Sequence, residues 1–199
     1  MAYFIIRTNE MKTSFFQQND ENPTLGGDCG RNVLFSSPTN QNQSMLNLLG
    51  DHQCKLDNKG RLLFPAKLRK QMEEVVHRGL VVNRNVHEPC LTIYTMPEWE
   101  KIQQDVARLN RHSQVHASYI RKFLNGAELI ELDTVGRLTI PAAMLEYAQV
   151  DLKQNNEVVL LGLFEKIELW SKENHRKMVS GEGIDYNAIA DEVQKFLQQ

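Results

Sequence analysis

The stretch Leu56-Asp57-Asn58-Lys59-Gly60-Arg61-Leu62-Leu63-Phe64-Pro65 returns 76 residues later as Leu132-Asp133-Thr134-Val135-Gly136-Arg137-Leu138-Thr139-Ile140-Pro141. Both copies fit Leu-Asp-x-x-Gly-Arg-Leu-x-x-Pro, and Ala66 and Ala142 extend the match. At the same offset Leu91-Thr92-Ile93-Tyr94 aligns with Ile167-Glu168-Leu169-Trp170. A long fixed offset with identities at both ends marks a duplicated structural unit. The 199 residues are therefore read as two similar halves.

Within each copy the residue types dictate a local form. Asp57-Asn58-Lys59-Gly60 is turn chemistry, in which the Asp carboxylate accepts backbone N–H groups and Gly supplies a positive φ. Gln53 to Leu56 and Arg61 to Phe64 then read as the two strands of a hairpin. Pro65 is placed at a helix start, where its missing N–H costs nothing, and Leu68, Met72 and Val75 or Val76 follow at helical spacing. Leu80-Val81-Val82 and Cys90 to Tyr94 are two further strands. The second unit repeats this: strand Glu128 to Leu132, turn, strand Arg137 to Ile140, a helix with Ala142, Leu145 and Ala148 facing inward, then strands at Val158 to Leu161 and Lys166 to Trp170.

Between the units, Pro97-Glu98 opens a helix with Trp99, Ile102, Val106 and Leu109 on one face. A second helix from near Ser113 carries Val115, Tyr119, Ile120, Phe123 and Leu124 before Asn125-Gly126 ends it. The two are expected to form an antiparallel hairpin linking the halves. After Trp170 a polar stretch leads to a last helix with Ile189, Val193 and Phe196 on one side.

The resulting layout is α+β: a first unit at 51–98, linking helices at 99–126, a second unit at 127–170, and a C-terminal polar segment and helix at 171–199. Residues 1–44 are different, with ten Asn or Gln and little that could fill a core. They read either as a disordered extension or as a mis-called reading frame ahead of a natural start at Met45.

Bulk properties exclude several classes. No apolar run approaches the roughly 18 residues of a membrane span, and no signal peptide is recognisable. Cys29, Cys54 and Cys90 are odd in number and form no CxxC pair, so a reducing cytoplasm is expected rather than a disulfide framework. Phosphate-cradling, nucleophile-elbow and dinucleotide signatures are missing, so neither an enzyme nor a cofactor is expected. His112 and His116 have an i, i+4 spacing that can hold a metal, but no Cys or carboxylate obviously joins them, and a solvated helix face is the expected reading. Cys54 and Cys90 read as small strand residues rather than nucleophiles.

The polar Asp-x-x-x-Arg element is the candidate site. Asp57 and Arg61, like Asp133 and Arg137, could simply brace their turns. Alternatively the arginines project toward phosphates or guanine edges, with each Asp fixing the orientation. Local charge separates the copies. Residues 51–70 carry Lys55, Lys59, Arg61, Lys67, Arg69 and Lys70 against Asp51 and Asp57, leaving +4. Residues 127–146 carry Arg137 against Glu128, Glu131, Asp133 and Glu146, leaving −3. Clustered cations are what polyanion binding requires, so Lys55, Lys59, Arg61, Lys67 and Arg69, with Arg137 from the second copy, are the DNA-binding candidates. Asp57, Asp133, Gly60 and Gly136 are the residues that orient the motif, and the first copy is expected to dominate. A single small unit buries little core, so leftover edges or helix faces are expected to join chains, and heterologous contacts of that kind can close into rings.

With these residues in view, 45–199 resembles the MraZ family of bacterial transcriptional regulators. The resemblance is carried by the doubled Asp57–Arg61 and Asp133–Arg137 pattern, by Pro89-Cys90-Leu91 ahead of Tyr94, by Pro97-Glu98-Trp99, and by Phe164 to Trp170. It implies two SpoVT-AbrB-type domains built around swapped hairpins. It implies a ring-like homo-oligomer on short direct repeats of double-stranded DNA, repressing the division and cell-wall gene cluster from its own promoter, in the cytoplasm at the nucleoid. Two features depart from the family pattern: the extension 1–44, and an acidic second copy in which Pro141-Ala142-Ala143 lacks the basic residues of the first. The alternative is an AbrB-like protein-interaction module whose Asp-x-x-x-Arg hairpins are purely structural.

Overall fold

The computed structural model describes residues 46–181 and 185–198; the stretch 1–44, including Cys29, lies outside them. The first unit runs through β1 (Leu48–Lys55), β2 (Arg61–Leu63), α1 (Ala66–Gln71), a single 3-10 turn at Val76–Arg78, β3 (Leu80–Arg84) and β4 (Leu91–Thr95). Helices α2 (Met96–Ala107) and α3 (Gln114–Leu124) follow. The second unit has β5 (Glu128–Ile130), β6 (Arg137–Thr139), α4 (Ala142–Tyr147), β7 (Glu157–Phe164) and β8 (Lys166–Ser171), then α5 (Lys172–Ser180) and α6 (Tyr186–Leu197).

The two units interlock strand by strand. A six-stranded sheet has the order β1-β7-β8-β4-β3-β5, and every neighbouring pair in it is antiparallel. Thus β1 of the first unit pairs with β7 of the second, and β5 of the second pairs with β3 of the first. The short strands β2 and β6 form a separate ribbon. Leu62 faces Leu138 in that ribbon and Thr92 faces Glu168 in the sheet, both pairs being 76 residues apart. An approximate two-fold axis therefore runs through the two pairs.

The expected hairpins open almost at once. Leu56 bridges Leu62, and Leu132 bridges Leu138, but beyond that bridge the strands separate and pair with the other unit. Burial explains the choice. Leu56, Leu62, Phe64, Leu68 and Met72 from one unit and Leu138, Ile140, Met144 and Leu145 from the other share one core with Leu80, Val82, Leu91, Ile93, Val158, Leu160, Ile167 and Leu169 of the sheet. Each buried leucine contributes about 1.5–3 kcal/mol, and a lone hairpin has no second layer in which to bury its share.

Local differences from the pattern have identifiable causes. Pro65 and Pro141 cap α1 and α4 from just outside, with extended ψ of 128° and 142°. Helix α1 stops at Gln71, and Val75 and Val76 lie in turns anchored on the Met72 carbonyl, as β-branched residues after Glu73-Glu74 sustain a helix poorly. In α4 the inward residues are Met144, Leu145 and then Ala148, while Ala142 is exposed in the first turn.

The helical hairpin forms, with α2 ending at Ala107 so that Leu109 lies in the turn beyond it. Phe123 of α3 stacks on Trp99 of α2 with centroids 5.8 Å apart, and the Ser113 hydroxyl caps α3 by accepting the His116 N–H. The stretch after Trp170 is not a polar connector: residues 172–180 are helix α5. Its Ser171 cap stands 76 residues after the Thr95 cap of α2, so α5 is the second copy of α2. Its near lack of apolar residues hides the helical period. Hydrogen bonding still supports the helix, through the Ser171 hydroxyl accepting from Asn174 N–H, the Glu173–Lys177 pair and a left-handed Gly181 at the end.

Candidate nucleic-acid interface

Each turn is built by its aspartate. Asp57 Oδ1 accepts the backbone N–H groups of Lys59 and Arg61 at 2.8 and 2.9 Å, while Gly60 N–H donates to the Asp57 carbonyl at 3.0 Å. The second oxygen, Oδ2, receives Arg61 Nε at 2.7 Å and Nη2 at 2.6 Å. The second turn repeats this. Asp133 Oδ1 accepts from Val135 and Arg137 N–H at 2.9 and 2.8 Å, and Oδ2 accepts from Arg137 Nε at 2.8 Å. Gly60 and Gly136 hold φ of 73° and 82°, the left-handed region where a side chain is strained.

These bonds act on the acids. The Arg61 guanidinium, together with the backbone N–H groups of Arg61 and Lys59, brings the Asp57 carboxyl down to about 2. Asp133 is lowered by the Arg137 N–H and then by its guanidinium. Both carboxylates are therefore held in the charged form more firmly than a free aspartate. With side chains about a third exposed, such pairs are screened by water and add little to stability. Their larger consequence is geometric. The Asp occupies the Nε–Nη2 edge of Arg61, and among the described residues no other protein acceptor meets that guanidinium. Nη1 and the remaining Nη2 proton are left without a protein acceptor, the two-pronged edge that suits a guanine or a phosphate.

The ribbon sets the two arginines on one face. Leu62 and Leu138 point into the core, so their neighbours Arg61, Leu63, Arg137 and Thr139 point out. Arg61 lies opposite Thr139, and Leu63 lies opposite Arg137. A two-stranded antiparallel ribbon is one of the two elements that a B-DNA major groove admits.

The turns dock crosswise. Gly60 accepts the Ile140 N–H at 2.9 Å, and Gly136 accepts the Phe64 N–H at 3.0 Å. Turn one thus rests on the start of α4 and turn two on the start of α1. As a result Arg69 of α1 reaches over Gly136, where any Cβ would collide with its Nη1. An open groove of about 640 Å³ is lined there by Lys55, Leu63, Pro65, Arg69 and Val135, among others. Lys59 and Lys67 are exposed, on turn one and α1 respectively. Lys55 closes β1 opposite Glu157, whose carboxyl is lowered first by Lys172 and in smaller part by Lys55. The +4 of residues 51–70 is therefore divided in space between the two turns. Sequence reasoning missed Leu63, Thr139 and the placing of Arg69, because each follows from β2 pairing with β6 across the chain.

Cys90 is buried and Cys54 half-buried, and burial raises their thiols to about 12 and about 11, so neither is a thiolate near neutral pH. His116 Nδ1 accepts the Asn110 N–H, and Asn110 Oδ1 accepts the His112 N–H, tying both histidine segments into the turn between α2 and α3. Among the described residues no three of His, Cys, Asp or Glu gather as a metal would need.

The family model for MraZ proteins, described as antitoxin-like, matches residues 48–120 and again residues 123–196. This chain belongs to the MraZ family. Similar relatives include the transcriptional regulator MraZ of Christiangramia forsetii, 34% identical over 149 residues that span 75% of this chain and 94% of the relative. That of Flavobacterium psychrophilum is 35% identical over 149 residues, covering 75% and 92%. That of Halothermothrix orenii is 33% identical over 144 residues, covering 71% and 93%. The first MraZ match runs from β1 into α3 and the second reaches into α6, so the helical pairs belong to the repeat as much as the turns do. The class of function that the MraZ relatives' names support is transcription regulation. Among the described residues no helix is long and apolar enough to cross a membrane.

Proposed function

We propose that this chain regulates transcription by binding double-stranded DNA through the outward face of the β2–β6 ribbon. The observation that carries the reading is the pair of arginines, Arg61 and Arg137, on one ribbon, each held by the aspartate of its own turn. Arg61 and Arg137 take base edges; Lys59, Lys67 and Arg69 take phosphates, and Lys55 lies at the margin. The two units, at 51–98 and 127–170, are SpoVT-AbrB-type domains, and the reciprocal pairing of β1 with β7 and β5 with β3 is their swapped arrangement. The protein acts as a ring-like homo-oligomer on short direct repeats, repressing the division and cell-wall genes from its own promoter at the nucleoid. Several weak ribbons on one repeated site combine into tight binding.

The test is a gel shift on the DNA upstream of the protein's own gene at two salt concentrations. Binding is expected to weaken steeply with salt as counterions are released. Arg61→Ala should lose about 1–3 kcal/mol per chain, the worth of one bidentate contact to a base, or roughly five- to 150-fold, with the oligomer unchanged. Unaltered retention by Arg61→Ala would end the reading. The close Arg–Asp pairs also suit a module in which the arginines only brace turns. That second reading gains if neutralising Lys59, Arg61, Lys67 and Arg69 together leaves DNA retention intact.

A further inference from the structure

Helix α6 is well formed yet uncovered. Asp185 caps it by accepting the N–H groups of Asn187 and Ala188 at 3.0 and 3.2 Å. Tyr186, Ile189, Val193 and Phe196 recur at helical spacing with Leu197 beside them, and all five are exposed, from 43% to 76%. Isolated short helices are marginal in water, so an amphipathic helix with an open apolar stripe calls for a partner surface.

The repeat indicates why no seat lies within the second unit. In the first unit the corresponding helix, α3, packs Phe123 on Trp99 of α2. Seventy-six residues on from Trp99 stands His175, near Asp51 at 3.6 Å, and α5 has only Met178 and Val179 as large apolar residues. The stripe of α6 has lost its partner in the second copy.

A matching surface exists on the first copy. The α2–α3 hairpin carries an apolar groove of about 510 Å³ lined by Val106, Ala107, Ile120 and Leu124, with Arg111 and Arg121 also on it. The charged residues lining the groove are Arg111 and Arg121, with the α2 acids Glu98, Glu100 and Asp105 outside its lining, whereas α6 with its cap holds Asp185, Asp191 and Glu192 against Lys195 alone. The two open surfaces are thus apolar in the middle and opposite in charge around it, as associating faces are.

We infer that α6 of one subunit docks into the α2–α3 groove of a second copy of this chain. The contact is heterologous, groove to helix, so every subunit offers one of each and the chain of contacts closes when the rotation permits. This inference rests on the ring reading above and names its interface.

The test uses the full-length chain, sized by light scattering. A helix variant, Ile189→Asp with Val193→Asp, and a groove variant, Ala107→Asp with Leu124→Asp, change only exposed positions, so unaltered far-ultraviolet circular dichroism is expected. Each alone should run as a 23.0 kDa monomer. Mixed in equal amounts they should give a species of twice that mass and nothing larger, because one intact groove and one intact helix remain and can meet once. Either variant assembling at wild-type size, or a mixture that stays monomeric, overturns the proposal. If the wild type assembles and the helix variant does so equally, the ring survives on another surface while this interface fails; a monomeric wild type removes both. Should the aspartates unfold the hairpin, Arg111→Glu with Arg121→Glu replaces them, and an assembled fraction at low salt equal to wild type would overturn the proposal.

Discussion

Replacing Gly60 with alanine is expected to cost about 2–5 kcal/mol, and the same change at Gly136 only about 1–2 kcal/mol. Both residues hold positive φ, 73° and 82°, and a left-handed non-glycine residue costs about 1–2 kcal/mol at either place. The surroundings differ. A Cβ on Gly60 would stand 2.8 Å from the Ile140 carbonyl oxygen and 3.2 Å from Leu145 Cδ1. That oxygen is backbone, and the Ile140 N–H is already held by the Gly60 carbonyl at 2.9 Å, so it can retreat only by loosening the crosswise docking of turn one. Overpacking of this kind adds about 1–3 kcal/mol. At Gly136 the obstacle is the tip of the Arg69 side chain, which can swing away. The assay is urea unfolding at fixed protomer concentration, followed by circular dichroism, with wild type and both variants side by side. Equal losses for the two variants, or a larger loss for Gly136→Ala, would refute the reasoning. So would a Gly136→Ala penalty that vanished on adding Arg69→Ala, since the backbone strain should remain.

Two further outcomes bear on the aspartates. The Asp57 carboxyl carbon, followed by nuclear magnetic resonance, should titrate near 2 in the wild type and rise part of the way toward about 4 in Arg61→Gln, whose backbone N–H bonds to Asp57 remain. Because the folded value is the lower one, the ion pair's contribution is complete above pH of about 4 and fades as the pH falls toward 2; an unshifted Asp57 would mean that the pair does not persist in solution. Asp57→Ala separates orientation from simple attraction in DNA binding. Removing a negative charge beside a polyanion should tighten binding if attraction alone matters, whereas loss of the brace on Arg61 should weaken it several-fold in the gel shift, the expected result.

Much of the site was legible because the motif is local. Asp at the first turn position, Gly at the fourth and Arg after it specify a set of bonds spanning five residues, and the structure forms that set twice with nearly equal distances. The α2–α3 hairpin was legible for a similar reason, since Trp99, Ile102 and Val106 mark one face. Helix α5 was not: its support is a cap and ion pairs, which leave no hydrophobic period to read. The open stripe of α6 was visible as a stripe, but not as an uncovered one, because exposure is a property of the packed molecule.

The duplication, the turn geometry, the Asp–Arg pairing and the two helical faces were thus determined by sequence alone, each resting on interactions within a turn or two of chain. Which strand pairs with which was decided only in the tertiary structure. A hairpin and an exchanged pair satisfy the same backbone hydrogen bonds, and the choice falls to the core, where Leu62 and Leu138 are fully buried only when β2 and β6 lie together. That pairing puts Arg61 and Arg137 on one face and carries Arg69 over the opposite turn. The +4 read along residues 51–70 thereby becomes a surface shared by both units.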